Sequence, residues 1–279
     1  MANFHSNEWI MTRLQEHYDE ALQYFDESRI VGIFLQGSQN YGLDYEGSDI
    51  DTKLIVVPNF EEIAFNKKPH STTHVRENNE HIDFKDIRLY IDTFRKQNLN
   101  FLEILFTPYN IINPQYAKWW NILVANREAI AHYDIHRAIK SMKGIALEKY
   151  HAMEHRYPSK IDIIDKYGYD SKQLHHLLRV EEYLERYING VSYEQCLIPD
   201  EETAKRLRII KENNGFLNLA DARMTADEAI AHVEAMCDEA LENYEGGPDP
   251  EVEELLQKVQ YEIMKYAVAV ELVEDEYYD

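Results

Sequence analysis

Cysteine is nearly absent: Cys196 and Cys237 are the only two in 279 residues. Two thiols cannot build a disulfide framework or a four-cysteine zinc site. They show no Cys-x-x-Cys spacing and are expected as buried structural thiols. Glycine and proline are also scarce, at 10 and 8, which excludes collagen-like and proline-rich chains. No run of 18 apolar residues occurs, so no membrane-spanning helix is expected. The stretch from Met1 to Ile10 (MANFHSNEWI) lacks a basic segment followed by an apolar core, so it does not read as a secretory signal and the expected compartment is the cytoplasm. Basic residues are in the minority, with 29 Lys and Arg against 51 Asp and Glu and a net charge of −22. Such a chain is repelled by phosphate backbones on average, although a local basic groove can survive on an acidic body.

What remains is a globular composition, 44% hydrophobic and 12% aromatic, at a length of one or two domains. Trp9, Ile10, Leu14, Tyr18, Leu22 and Phe25 recur at three- and four-residue steps, which predicts an opening helix over 8–28. Short apolar or alternating runs predict strands at 29–35, 49–57 and 80–84. Residues 60–80 read as polar and irregular, with one or two short elements. Helices are expected from Asp86 and over 101–106, and beyond about residue 114 only helical spacing is found. The last helix is expected over 251–273, with a frayed acidic end at 274–279. The fold class is therefore α+β: a small mixed sheet with helices at 1–112, then an all-helical domain at 113–279. Trp119-Trp120 is expected as core between the two.

The chemistry concentrates between Phe34 and Val57 (FLQGSQNYGLDYEGSDIDTKLIVV). A strand ends in Gly37-Ser38, a loop of ten residues follows, and a second strand opens with Asp49-Ile50-Asp51. Strand alternation would put Asp49 and Asp51 on one side, roughly 6.5–7 Å apart. Their repulsion becomes favourable if a divalent cation such as Mg²⁺ sits between them, sharing oxygens with substrate phosphates. Asp83, on the same strand face as His81, is the expected third carboxylate of a two-metal site. Gly37 would let the backbone approach a phosphate, and Ser38 could donate a hydrogen bond to it.

Gly37-Ser38, the twelve-residue step from Gly37 to Asp49, and Ser48-Asp49-Ile50-Asp51 resemble the polymerase-beta-type nucleotidyltransferase superfamily. Gly37-Ser38-x-x-Tyr41-Gly42-Leu43 ahead of Ser48-Asp49-x-Asp51 is similar to one branch, the bacterial and phage nucleotidyltransferases named for an RNA repair pathway. Asp83, Asp86-Ile87-Arg88 and the segment from Gln97 to Phe106 resemble that branch's carboxylate strand, its Leu-Arg helix and its Asn-rich Leu-Glu segment. Gly168-Tyr169-Asp170-Ser171-Lys172 with His175, His176 and Arg179 resembles its later Tyr-Asp-x-Lys…His-Leu-x-Arg helix. The resemblance implies a polymerase-beta-like N-terminal domain whose Asp49, Asp51 and Asp83 hold Mg²⁺ or Mn²⁺, with Gly37 and Ser38 on the nucleotide phosphates. Lys172, His176 and Arg179 share a helix face by spacing, as a triphosphate would require. Gln39 departs from the branch, which often carries a basic residue or His there.

The function so implied is transfer of a nucleotidyl group from an NTP, ATP among the candidates, to an acceptor hydroxyl, in a cleft between the two domains. The acceptor could be an RNA end, a small molecule or a protein, and the oligomeric state is left open. A non-catalytic nucleotide-binding module and a metal-dependent phosphohydrolase are the alternatives. His151 and His155 lack the adjoining Glu of a zinc protease helix, and Arg127-x4-His132 is a chance-level match.

Overall fold

The computed structural model describes residues 3–276. Among these, no helix is long and apolar enough to cross a membrane. The architecture is α+β, with a small mixed sheet in the N-terminal half followed by many helices. Contacts gather the chain into two compact units. One holds His5–Asn40, Gly47–Tyr133 and the segment that begins at Pro248; the other holds Asp134–Gly247 and Tyr41–Glu46 with residues 3–4. Residue 112 thus marks where strands stop rather than where packing divides: 113–133 and the last helix belong with the sheet.

In the sheet unit the strands are β1 (Ile30–Gln36), β2 (Asp51–Val56), β3 (Ser71–Val75), β4 (His81–Asp86) and β5 (Asn110–Ile112). Their order is β3-β4-β2-β1-β5. β2 and β4 run parallel and every other pair is antiparallel. β1 is apolar along nearly its whole length, as a central strand covered on both faces must be. β3, Ser-Thr-Thr-His-Val, is a mostly exposed edge whose polar sequence hides the pattern. β5 is three residues long, too short for any periodicity to show.

Six helices precede the other unit: α1 (Asn7–Ala21), α2 (Phe60–Ala64), α3 (Ile87–Arg95), α4 (Leu99–Leu102), α5 (Ala117–Ala125) and α6 (Arg127–Ala131). α1 ends at Ala21, short of the expected 28, and Phe25 in the following turn packs edge-on against Phe84 at 5.3 Å. Leu14, Tyr18 and Ala21 of α1 bury one sheet face together with Leu54, Val56, Ile82 and Phe84. Strand alternation then turns Asp51, Lys53, Asp83 and Lys85 to the opposite face. Trp119 and Trp120 lie within this unit, Trp120 at 4.3 Å from Phe34 and Trp119 at 5.2 Å from Tyr266, and so serve the sheet's own core.

The other unit is built from α7 (Ile135–Ala152), α8 (Ile161–Tyr167), α9 (Ser171–Ile188), α10 (Tyr193–Leu197), α11 (Glu201–Glu212) and α12 (Leu219–Asn243). α9 is its centre, packed against α7, α10, α11 and α12. Alanines 222, 226, 229 and 240 of α12 are buried and allow close approach of the helices. Asp170 caps α9 by accepting the Lys172 amide at 2.9 Å. Cys196 and Cys237 are buried and unbridged, and burial pushes the Cys237 thiol up to about 11.

After Gly247 the chain returns to the sheet unit as α13 (Pro250–Glu276), against α3 and α5. Glu253 meets Arg95 Nε at 3.0 Å and the Tyr133 hydroxyl at 2.7 Å. Against the upward push of burial, these donors hold its carboxyl down at about 2. The helix continues through 274–276, part of the stretch expected to fray, and 277–279 lie outside the described residues.

Candidate functional site

The register of the central strands gathers the site. Gln36, the last residue of β1, pairs with Asp51, the first of β2. β4 runs parallel to β2, so its first residues lie at the same sheet edge. One edge therefore carries the turn leaving β1, the Asp49-Ile50-Asp51 segment and the start of β4.

The turn begins at Gly37, whose φ of +114° is a conformation that side chains rarely adopt. A 3-10 turn over Ser38–Tyr41 follows. The Gly37 amide donates to Glu103 Oε1 at 3.1 Å, so this N–H is committed to a buried carboxylate. Ser38 is half-buried beside it.

β2 starts at Asp51, not at Asp49 as the sequence suggested. Asp49 is exposed and Asp51 half-buried. Burial raises the Asp51 pKa and the Asp49 charge raises it further, against the opposing pull of His81. His81 donates its amide at 3.1 Å and its Nδ1–H at 3.0 Å to Asp51 Oδ1.

Asp83 lies one strand over and two residues further along, beside Lys53. Lys53 Nζ reaches Asp83 Oδ2 at 2.7 Å, and the Thr73 hydroxyl donates to Oδ1. Although burial acts the other way, Lys53, Thr73 and Lys85 hold Asp83 below the usual carboxylate range. Lys53 and Lys85 stand 4.4 and 4.6 Å from the Phe101 ring centre. Burial lowers the Lys85 pKa, with Lys53 and Lys96 adding to it against Asp83.

This arrangement corrects one expectation. Among the described residues, no three His, Cys, Asp or Glu side chains stand together to hold a metal. Asp49 and Asp51 repel each other, the Asp49 charge raising the Asp51 pKa. Asp83, as placed, has its charge answered by Lys53 and is not the third member of a cluster. Crowded acids on this face are thus tolerated partly through neighbouring cations of the chain itself.

Lys172, His176 and Arg179 do share one face of α9, in the helical unit. Lys172 is exposed and His176 half-buried. Dense packing lowers the His176 pKa, and His175, Lys172 and Arg179 lower it further. Arg179 is 6% exposed, its guanidinium 3.5 Å from the Tyr41 ring centre, and its Nε and Nη2 have no hydrogen-bond partner. The neighbouring His175 is structural, donating to the Leu207 carbonyl at 2.9 Å, with burial first and Lys211 second in pushing its pKa down to about 3.

Glu80 is a buried neighbour of the Asp49-Ile50-Asp51 segment that the sequence did not reveal. It is 5% exposed and accepts from His17 Nε2 (2.9 Å), Arg76 Nη1 (3.0 Å), Asn78 Nδ2 (2.9 Å) and Arg13. Burial would raise its pKa, but these donors hold it down at about 2. Arg13 and His17 lie on α1, more than sixty residues away, so no local pattern marks Glu80. The open groove among α2, α3 and α13, lined by Phe60, Ile63, Tyr261 and Met264, contains none of the candidate residues. No family model matches the chain, and no curated protein matches it.

Proposed function

We propose that the chain is a nucleotidyltransferase that uses a divalent cation and an NTP. The observation that carries this is the pairing of Gln36 with Asp51, which sets the Gly37 turn beside the Asp49 and Asp51 carboxylates. A glycine turn for phosphate and an acidic pair for a cation, at one sheet edge, suit phosphoryl chemistry better than any other class.

In this reading Asp49 and Asp51 would hold Mg²⁺ or Mn²⁺. The ion, when bound, would offset charge on the phosphate oxygens and acidify an acceptor hydroxyl. Asp83 stays ionised and fixed by Lys53 and Thr73, so it is suited to orient the acceptor hydroxyl rather than to take its proton. Ser38 would donate to a phosphate oxygen, at a turn that only Gly37 allows. Within the helical unit, Lys172, His176 and Arg179 share a helix face suited to a phosphate group, the unpartnered nitrogens of Arg179 supporting an anion as their missing acceptor. The acceptor hydroxyl gives up its proton to solvent water as its oxygen bonds to the α-phosphorus, the bond from that phosphorus to the α–β bridging oxygen breaks, and pyrophosphate leaves with the electron pair. The acceptor is an RNA end, a small molecule or a protein hydroxyl, and a cytoplasmic location fits the NTP supply.

Incubation with each labelled NTP, Mg²⁺ and a mixed extract tests the reading. Label should pass to an acceptor and pyrophosphate should appear. Release of inorganic phosphate alone would indicate a phosphohydrolase. The Lys53–Asp83 pair favours a second reading, a nucleotide-binding module that does not transfer. Equilibrium NTP binding with no pyrophosphate, under Mg²⁺ or Mn²⁺, would establish it.

A further inference from the structure

The peptide that joins Asp49 to Ile50 is held at both of its polar ends by side chains. Gln39 Nε2 donates to the Asp49 carbonyl at 2.8 Å. The Ile50 amide donates to Glu80 Oε1 at 3.3 Å. This peptide lies ahead of β2. The Ile50 side chain is fully buried against Ile10 and Leu35, which anchors the same peptide a third time.

We propose that Gln39 and Glu80 act as a peptide clamp whose task is to position Asp49 and Asp51 as one cation-binding unit. This rests on the nucleotidyltransferase reading for its purpose, but not for its geometry. Asp49 leads into the clamped peptide, and Asp51 follows it by one residue. Their mutual repulsion favours rotating that peptide so that the two carboxylates move apart. A bond to the carbonyl and a bond to the N–H oppose that rotation from opposite sides.

The holders are themselves rigid. Gln39 is 2% exposed and sits two residues after Gly37, so the glycine turn and the acidic pair move together. Glu80 is fixed by Arg13, His17, Arg76 and Asn78, and it immediately precedes His81, whose amide and ring grip Asp51. The clamp thus joins the turn after β1, the start of β2 and the start of β4. It also assigns Gln39 a role: an uncharged amide donor can hold a peptide carbonyl without adding a cation beside the acidic pair.

The test uses the full chain with Gln39→Met, which removes the donor and leaves the Glu80 network in place. Backbone amide exchange at Ile50 should become about tenfold faster, while exchange at Ile33 in β1 stays unchanged. Mn²⁺ affinity, read by water-proton relaxation, should fall roughly tenfold. With any transferred nucleotide, kcat should fall about tenfold and KM for the NTP less than about threefold. Glu80→Gln, which retains an acceptor for Ile50, should protect that amide better than Glu80→Ala.

Ile50 exchange within about twofold of the natural chain in Gln39→Met would overturn the proposal. The two readings fail separately. A natural chain that binds no Mn²⁺ and transfers nothing, yet shows the exchange response, sinks the nucleotidyltransferase reading and supports the clamp. A chain that transfers nucleotide without the exchange response does the reverse.

Discussion

Lys53 Nζ lies 2.7 Å from Asp83 Oδ2, across the parallel pair of β2 and β4. The Lys53 side chain is 7% exposed and the Asp83 side chain 25%, so water screens this pair only partly. Removing one partner leaves a poorly solvated charge. Lys53→Met should therefore destabilise the chain by about 1–3 kcal/mol, and a double-mutant cycle with Asp83→Asn should recover roughly half or more as coupling. Urea midpoints of the four proteins measure this, and strict additivity would show the pair to be energetically idle.

Glu80 should govern acid stability. Its folded pKa of about 2 lies below the unfolded value, so its contribution is complete above the unfolded pKa and is lost as pH falls through the folded one. The shift corresponds to roughly 3 kcal/mol, lost progressively between about pH 4.5 and pH 2. Urea midpoints from pH 5 to pH 2 should fall more steeply for the natural chain than for Glu80→Gln. Parallel slopes would contradict the assignment.

Gly32 has a packing reason, distinct from the turn at Gly37. A Cβ there would stand 2.9 Å from the Ile111 carbonyl oxygen and 3.0 Å from Phe34 Cζ. Gly32→Ala should cost about 1–3 kcal/mol by forcing β1 and β5 apart, read from thermal or urea unfolding.

Arg179 separates a structural cation from a ligand-seeking one. Its charge is buried on Tyr41 with two nitrogens unsatisfied. If it waits for an anion, Arg179→Met should leave the melting temperature unchanged or raised, while weakening NTP binding about tenfold or more. A lower melting temperature with unaltered NTP affinity would make it a packing residue. Calorimetry of both properties decides.

The β1, β2 and β4 strands were legible because apolar runs ended at Gln36-Gly37 and at Pro58, and because Ile82 and Phe84 alternate with His81 and Asp83. β3 was not, since an exposed edge needs no apolar alternation, and β5 was too short to register. β2 starts two residues after Asp49, where the peptide to Ile50 is bonded by the Gln39 and Glu80 side chains instead of a neighbouring strand, and no local pattern announces that. Lys53 was visible as a cation after the acidic pair, but its partner depends on the β2–β4 register, which no local pattern encodes. The return of α13 to the sheet unit follows from contacts such as Arg95 with Glu253, 158 residues apart.

The most direct measurement is pyrophosphate release from NTP by the natural chain beside Asp49→Ala and Asp51→Ala, in Mg²⁺ and in the presence of an extract that supplies acceptors. The account predicts release by the natural chain, loss of about a thousandfold or more in each variant, and melting temperatures that stay level or rise slightly as the repulsion between the two carboxylates is relieved. Normal pyrophosphate release by either variant, from a folded protein, would contradict it.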